Sequence, residues 1–540
     1  MRILVATVVV LAALAGDVAA QESWAGKQIF VKKFDIKIGR TDDQGRQVYV
    51  ATLKNVSYIV LAERDGWLKV KHAGVEGWFD KADAVLLADA VSYFTDRIQQ
   101  NPNDSGAYNS RASAWQSRGE IEIALKDYND AIRIAPREPA FYNNRGRIWE
   151  FKKDYQKAIA DYTEAIRLNP DVDVYYRNRS AIYSILKEDR KALADDERAV
   201  AINPKDPQNY FVRGIDHINL NDRDQAIRDF SEAIRLDPNY ALAYQYRANQ
   251  WRAKKEYQKA IADFSEAIRL NPKVDYYYRD RGAVYTLLKE YDKALADDDK
   301  AVAINPKDPQ NFLFRGIDHA DLKNRDQAIR DFSEAIRLNP KYAYAYELRG
   351  DEWRAAKEYA KAIADYTEAI RLEPKKAGLY YDRGMAWKGH KDLNKAIEDF
   401  SETIRINPRH PSAYHERAMA HSQTKRYAEA IRDYRELTKL SPNFAQGYNG
   451  IAWLLATAPD DKLRNGKEAV QLAKKAMELD KAKANWYADT LAAAYAELGF
   501  FEQAVQYQEQ ALTDPQLRES AEARQRLELY KKKMPYRKPG

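Results

Sequence analysis

Hydrophobic and polar positions follow three rhythms along the chain. Behind Arg2, residues 3–15 form an apolar run that closes on small residues at Val18 and Ala20. From Gln28 to Leu87 the segments IFVKKFDIKIG, QVYVATL, YIVLAE and GWLKVKH are rich in β-branched and aromatic residues and broken by Asp-Gly and Gly pairs. This predicts short strands joined by tight turns. Beyond them the pattern is helical on both sides of a turn and recurs. Prolines stand at 102, 136, 170, 204, 238, 272, 306, 340, 374, 408 and 442, a constant spacing of 34. Such a period predicts stacked helix-turn-helix units that bury their apolar faces against one another. Each proline lacks the amide donor needed to continue the helix before it.

If each repeat ends two residues after its proline, the first begins at Ser105. Position four is then aromatic ten times: Tyr108, Tyr142, Tyr176, Tyr210, Tyr244, Tyr278, Phe312, Tyr346, Tyr380 and Tyr414. Position eight is Ala, Gly or Ser throughout, from Ala112 and Gly146 to Ala418, and position twenty is alanine from Ala124 to Ala430. These marks closely resemble the tetratricopeptide repeat family. The resemblance implies ten regular repeats over 105–444, two divergent ones over 445–518, and a capping helix with a basic tail over 519–540. The expected fold class is mainly α, a superhelical solenoid of about twelve repeats preceded by a small β-barrel at 28–87. The sequences KDPQNYFVRGIDH (205–217) and KDPQNFLFRGIDH (307–319) lie 102 residues apart, so the array grew by duplicating a three-repeat block.

Within the β segment, GWLKVKHAGVEGWFDKADAVL resembles the second half of bacterial Src-homology-3-type barrels. That resemblance implies a ligand face for extended peptides or wall fragments and nominates Tyr49, Tyr58, Trp67 and Trp78, with Phe79. The competing use of these rings is to fill a small core.

Residues 1–20 have the form of a secretory signal cleaved after Ala20, because an apolar run of 13 residues is shorter than the roughly 20 needed to span a bilayer; the alternatives are an uncleaved signal anchor or a buried helix. An exported chain with no cysteine points to a bacterial envelope, with the periplasm as its address and no integral membrane span after cleavage. The absent cysteines also exclude disulfides, thiolate catalysis and lipoprotein acylation. The 88 basic and 81 acidic side chains of the 540 residues nearly balance, which argues against nucleic acid as a partner. Five of the seven net positive charges come from Arg518 to Gly540, with 8 basic and 3 acidic residues, and this end reads as a solvated terminus.

Position seven is arginine in all ten repeats, from Arg111 to Arg417, and position twenty-three is aspartate in the same ten, from Asp127 to Asp433. Two matched ladders of opposite sign predict one bridge per repeat, since half-buried arginine takes a partner. Position eleven is aromatic or histidine, with His217, His319 and His421 recurring every 102 residues, too far apart to share a metal. Asp196 and Asp298 replace the aromatic of position twenty-four just before His217 and His319, which predicts two buried Asp-His pairs and leaves His421 without one. His410 and His415 are read as unrelated neighbours of His421.

No phosphate loop, acid-base carboxylate pair or serine elbow is present, so neither an enzyme nor a cofactor is expected. The family resemblance implies that positions two, five, nine and twelve of the first helices line a concave groove for peptides or partner helices. These positions hold Asn143, Arg147, Arg177, Gln245, Asn249, Arg252, Tyr276, Arg279, Tyr344, Glu347, Asp351, Arg354 and Tyr381. The expected function is an exported scaffold for protein or peptide partners. The alternative is an adaptor whose barrel holds a cell-wall polymer while the repeats recruit an envelope enzyme.

Overall fold

The fold is given by a computed structural model that describes residues 23–33, 36–41, 47–53, 57–72 and 75–538. The expected leader at 1–20 lies outside the described residues. The chain divides into two compact units, Met1–Lys254 and Lys255–Gly540.

The first unit opens with eight strands: β1 (Gln28–Val31), β2 (Lys37–Thr41), β3 (Gln47–Thr52), β4 (Ser57–Ile59), β5 (Ala62–Arg64), β6 (Trp67–His72), β7 (Val75–Asp80) and β8 (Ala84–Leu86). The Asp65-Gly66 turn, with φ of 48° and 80°, closes the β5–β6 hairpin, as a two-residue turn with both residues at positive φ does. The expected closed barrel does not form. Two sheets form instead, ordered β4-β1-β8 and β3-β2-β7-β6-β5. The reason lies in two places where the chain changes sheets. The amide of Val60 donates to Lys27 (3.1 Å) beside β1, whereas that of Leu61 donates to Lys69 (2.8 Å) on β6. A single 3₁₀ turn, Lys81–Asp83, likewise carries the chain from β7 to β8. Strands that switch sheets make open corners rather than closure. Ile29, Ile38, Leu68, Val70 and Phe79 fill the core between the sheets.

A helix, α1 (Leu87–Gln100), follows and buries Ala90, Phe94 and Ile98. Phe94 meets Phe30 of β1 edge-on at 6.4 Å, which ties the sheets to the helices of the same unit. The regular repeats then follow, each with a first helix of 13 residues and a second of 14, as in Ser105–Ser117 with Ile121–Ile134. The first unit holds four repeats and the first helix of the fifth; the second unit begins with the fifth repeat's second helix. At the turn between the two helices the chain reaches positive φ, at Gly119 in the first repeat and at Lys153 (59°) or Lys187 (61°) in the next two.

The ladder residues explain why the repeat marks recur together. Nine Arg-Asp pairs lie inside one unit or the other, from Arg111–Asp127 to Arg417–Asp433. Each is bidentate, with Nε donating at 2.8–2.9 Å and Nη2 at 2.6–2.8 Å. The remaining Nη1 reaches back to the preceding second helix, as in Arg349 to Ser333 (2.9 Å) and Arg417 to Ser401 (3.0 Å). The guanidinium also lies beside the position-four ring, 5.5 Å away for Arg111 and Tyr108. Several of those tyrosines donate to the carbonyl of the preceding repeat's proline, Tyr142 to Pro136 at 3.2 Å for example. One arginine thus joins two helices of its own repeat to the repeat before it.

Position eight must be small because the position-twenty-four ring lies on it. A Cβ at Gly316 would stand 2.6 Å from the Phe332 ring, whereas one at Gly378 would meet nothing within 4 Å. Gly316→Ala is therefore expected to destabilise by about 1–3 kcal/mol. Gly378→Ala is expected to be neutral or stabilising by up to about 1 kcal/mol. Urea titrations of the two variants read the contrast.

The predicted Asp-His pairs are not present. Asp196 faces Asp216, and Asp298 faces Asp318; all four are at most 2% exposed. Position twenty-four meets position ten of the next repeat, not position eleven, just as Tyr128 packs with Ile148 and Tyr162 with Ile182. Burial, and then the facing carboxyl, raises Asp196 and Asp298 well above the ordinary range. Asp216 accepts from Ser184 and Asp318 from Thr286, each at 2.7 Å. Two dry carboxyls that face each other favour the protonated form of the pair. His217, His319 and His421 instead approach the ladder aspartates Asp229, Asp331 and Asp433 at 3.7, 3.9 and 3.8 Å. His421, expected to lack a partner, is placed like the other two.

In the second unit the eleventh repeat comprises Ala445–Thr457 and Gly466–Leu479, and the twelfth Ala484–Glu497 and Phe501–Ala511. Beyond them the expected covering helix appears as Ala521–Lys531, but it is not simply a polar lid. Its Arg526 is 5% exposed and pairs with Asp489 at 2.8–2.9 Å.

Candidate interaction grooves

In the first unit the face formed by successive first helices is walled at one end by the β sheets, enclosing a cavity of about 1600 Å³. Its floor is Gly106, Asn109, Ser113 and Gln116 from the first repeat and Ala140, Asn143 and Arg147 from the second, the residues of positions two, five, nine and twelve. Helical periodicity places these on one stripe. The wall is Gln28, Lys32, Thr52, Ser57 and His72, and Gln28 Nε2 donates to Ser117 Oγ at 3.2 Å across the junction. Arg97 fastens the same junction, donating to the Lys32 carbonyl (2.8 Å) and pairing with Asp104 (2.5 Å).

The floor is a row of amides. Asn144 donates to Asn109 and Asn178 to Asn143, both at 2.9 Å, so each position-five asparagine is oriented by the next repeat. An asparagine side chain both donates and accepts, which matches the hydrogen-bonding groups of an extended backbone. Arg147 is exposed and makes no ion pair with a described residue. Arg177, by contrast, is tied to Asp206 (3.0 Å) and Asn209 (2.5 Å), so it braces the array instead of offering a free charge. Gln245, Asn249 and Arg252 are half-buried on the fifth repeat's first helix, and Asn249 Oδ1 has no hydrogen-bond partner among the described residues.

In the second unit Arg279 repeats the bracing role, donating to Asp308 and Asn311 at 2.8 Å. Tyr276 lies edge-on to Tyr277 at 4.8 Å. The eighth repeat's residues engage one another: Glu347 pairs with Lys376 (2.5 Å), which lies over the exposed Tyr344, and Asp351 pairs with Arg354 (3.0 Å) and accepts from Tyr366 (2.7 Å). Burial, then Asp351, pushes the neighbouring Asp382 carboxyl up to about 6. Tyr381 lies against His410 (5.0 Å) and Phe400 (5.8 Å). This stretch is internally paired, as are the buried asparagines of the first unit's floor, where Arg147 is the exposed group.

On the β sheets, Tyr58 is buried, with its hydroxyl 3.2 Å from His72 Nδ1, and Phe79 is core. Neither can belong to a ligand face. Tyr49 and Trp78 both pair with Gly39 in register, and Trp78 pairs with Lys69, two residues from Trp67. Partners across strands and residues two apart share a face, so Tyr49, Trp78 and Trp67 stand on one side of the larger sheet. Tyr49 is 55% and Trp67 50% exposed.

Models of the tetratricopeptide repeat match residues 139–172, 211–275, 250–309, 315–377, 411–444 and 486–514. The repeats are tetratricopeptide repeats. No curated protein matches the chain significantly in sequence. Among solved structures, YrrB, described as a tetratricopeptide repeat protein with an unusual peptide-binding site, is 23% identical. It covers 34% of this chain and 96% of its own, with a TM-score of 0.31. A tetratricopeptide repeat protein from Parabacteroides merdae is 21% identical over 45% of this chain and 97% of its own, TM-score 0.38. The Cut9–Hcn1 hetero-tetramer of the APC/C is 14% identical over 79% and 96%, TM-score 0.36.

Among the described residues no three His, Asp or Glu side chains converge to hold a metal ion, and no helix is long and apolar enough to cross a membrane.

Proposed function

We propose that this chain is an exported scaffold that holds an extended protein segment along the first helices of its opening repeats. The reading rests on the amide floor of Asn109 and Asn143, with Arg147 beside it, inside a cavity walled by the β sheets. The asparagines, buried and bonded to Asn144 and Asn178, fix the surface, and the exposed guanidinium serves a carboxylate or a carbonyl of the segment. The work is presentation: the partner is held in place and no bond is made or broken. Export follows from the leader at 1–20, and N-terminal sequencing of the mature protein is expected to begin at Gln21.

Affinity capture from the source envelope with the wild-type chain and with Arg147→Glu tests the groove. Partners retained by the wild type are expected to fall at least about tenfold with the variant, the loss of one charge-assisted contact and its replacement by repulsion. Equal retention would overturn the assignment. The row of exposed Tyr49 and Trp67 with half-buried Trp78 between them favours a second reading, in which the sheets bind a wall polymer by stacking on its rings. Binding of the full chain to purified sacculi, lost in Tyr49→Ala/Trp67→Ala, is the outcome that reading requires.

A further inference from the structure

The basic carboxyl terminus, which composition assigns to solvent, runs back along the closing repeats of the second unit. Tyr536 lies against Trp453, ring centroids 5.9 Å apart, and Arg526 stands 5.2 Å from the Trp453 ring and 5.4 Å from that of Tyr536. Arg537 pairs with Glu497 (2.5 Å), the last residue of the twelfth repeat's first helix; Arg464 holds the other oxygen of that carboxylate at 3.0 Å. Lys538 donates its amide to the Thr457 carbonyl (2.8 Å) and its ammonium to Ser422 Oγ (3.2 Å), with the Tyr427 ring 5.3 Å away. Trp453 occupies position nine of its repeat and Ser422 position twelve, which line the groove in the first unit. In order along the tail, ring, guanidinium and ammonium thus each meet a complementary group drawn from repeats ten, eleven and twelve.

We infer that this face is a recognition site for an extended protein segment bearing an aromatic residue followed by two cations, and that Tyr536–Lys538 fills it in cis. The tail displays the site's chemistry: an indole face, a carboxylate, and a hydroxyl beside an aromatic ring. A ring packed on Trp453 beside Arg526 and a half-buried ion pair are contacts of the kind that anchor interfaces. A partner in trans must displace the tail, which competes at the high effective concentration of a tethered ligand. The inference rests on the premise that first-helix faces take extended segments, but it concerns repeats ten to twelve, far along the chain from Arg147.

The test is fluorescence anisotropy with a labelled peptide of the sequence KKKMPYRKPG. The full chain carrying Tyr536→Ala and Lys538→Ala is expected to bind it saturably, at least about tenfold tighter than the wild type, whose own tail competes. Adding Trp453→Ala should weaken that binding at least about tenfold, and adding Glu497→Gln severalfold. Glu497→Gln keeps the side-chain shape and guards against a folding defect in the tryptophan variant. A peptide with Tyr→Ala and Arg→Glu at the matching places should not bind. Absence of saturable binding to the opened chain, equal binding to wild type and opened chain, or indifference to both Trp453→Ala and Glu497→Gln would each overturn the inference. So would a wild-type dimer that Tyr536→Ala dissolves, because the tail would then sit in a second copy. Failure here with Arg147-dependent capture intact would sink this inference alone and leave the first-unit groove standing.

Discussion

Arg383→Met is expected to lower the free energy of unfolding of the ninth repeat and its neighbours by about 3–5 kcal/mol. The guanidinium holds Asp399 through two bonds at 2.9 and 2.8 Å and Thr367 of the preceding repeat at 3.1 Å. Asp399 is only 5% exposed; burial already pushes its carboxyl up, and Arg383 pulls it back down. Without the arginine that carboxylate stays buried and unpaired, or takes up a proton at a cost. The partner change restores the balance: Arg383→Met with Asp399→Leu is expected to regain most of the loss, because an apolar pair of similar size replaces a desolvated ion pair with little net change. A double-mutant cycle read by hydrogen exchange on helices of repeats eight and nine measures it locally. A local readout is needed because a repeat array need not unfold in one step.

Replacing both buried acid pairs, as Asp196→Phe/Asp216→Ile with Asp298→Phe/Asp318→Ile, is expected to raise the melting temperature by several degrees and to flatten its dependence on pH. The substitutions recreate the ring-on-isoleucine contact that Tyr128–Ile148 and Tyr162–Ile182 make at the same places. The sign follows from the direction of the shifts. Burial raises these carboxyls in the folded chain. The folded state therefore keeps protons that the unfolded chain releases above about pH 4. Their contribution is greatest below that pH and declines as pH rises toward the folded pairs' own titration. The gap between wild type and variant should accordingly be wider at pH 8 than at pH 5. A single Asp298→Phe is expected to do harm, since it leaves the buried Asp318 facing a ring, with Thr286 as its hydrogen-bond donor. Thermal melts across pH 4–9 of the three chains give the answer.

Much of this was legible because the array repeats strictly. The proline spacing, the small eighth position and the matched Arg and Asp ladders each have one structural use, and ten copies made that use visible. What the ladders do between repeats was not legible. The bond from Arg349 to Ser333 joins position seven to position twenty-five of the repeat before, which varies among Ser, Thr, Asn and acids and so leaves no constant mark. The acid pairs were misassigned by one residue, because neighbouring positions on a helix differ by about 100° in direction and only packing decides which faces the adjoining repeat. Barrel closure failed on Val60 and Leu61, consecutive residues of one apolar run whose amides turn to different sheets. Helix α1 carries its signal in Ala90, Phe94 and Ile98 at four-residue spacing, and Pro102 follows it as Pro136 follows the first repeat's second helix; starting the first repeat at Ser105 left it uncounted. Of the nominated groove residues, Asn143 and Arg147 line the cavity, whereas Arg177 and Arg279 prove to be braces; the partners that occupy them, Asp206 and Asp308, stand 29 residues downstream. The tail looked solvated because its docking partners belong to three other repeats.

The most direct test of the scaffold reading is photocrosslinking in envelope extract from a benzoylphenylalanine placed at Gln116, on the cavity floor, beside the same group at the exposed Lys126 on the second helix of that repeat. The account predicts discrete protein adducts from position 116, mapping to one extended stretch of each partner and suppressed by Arg147→Glu, with none from position 126. Adducts of equal yield from both positions, or from 126 alone, would contradict it.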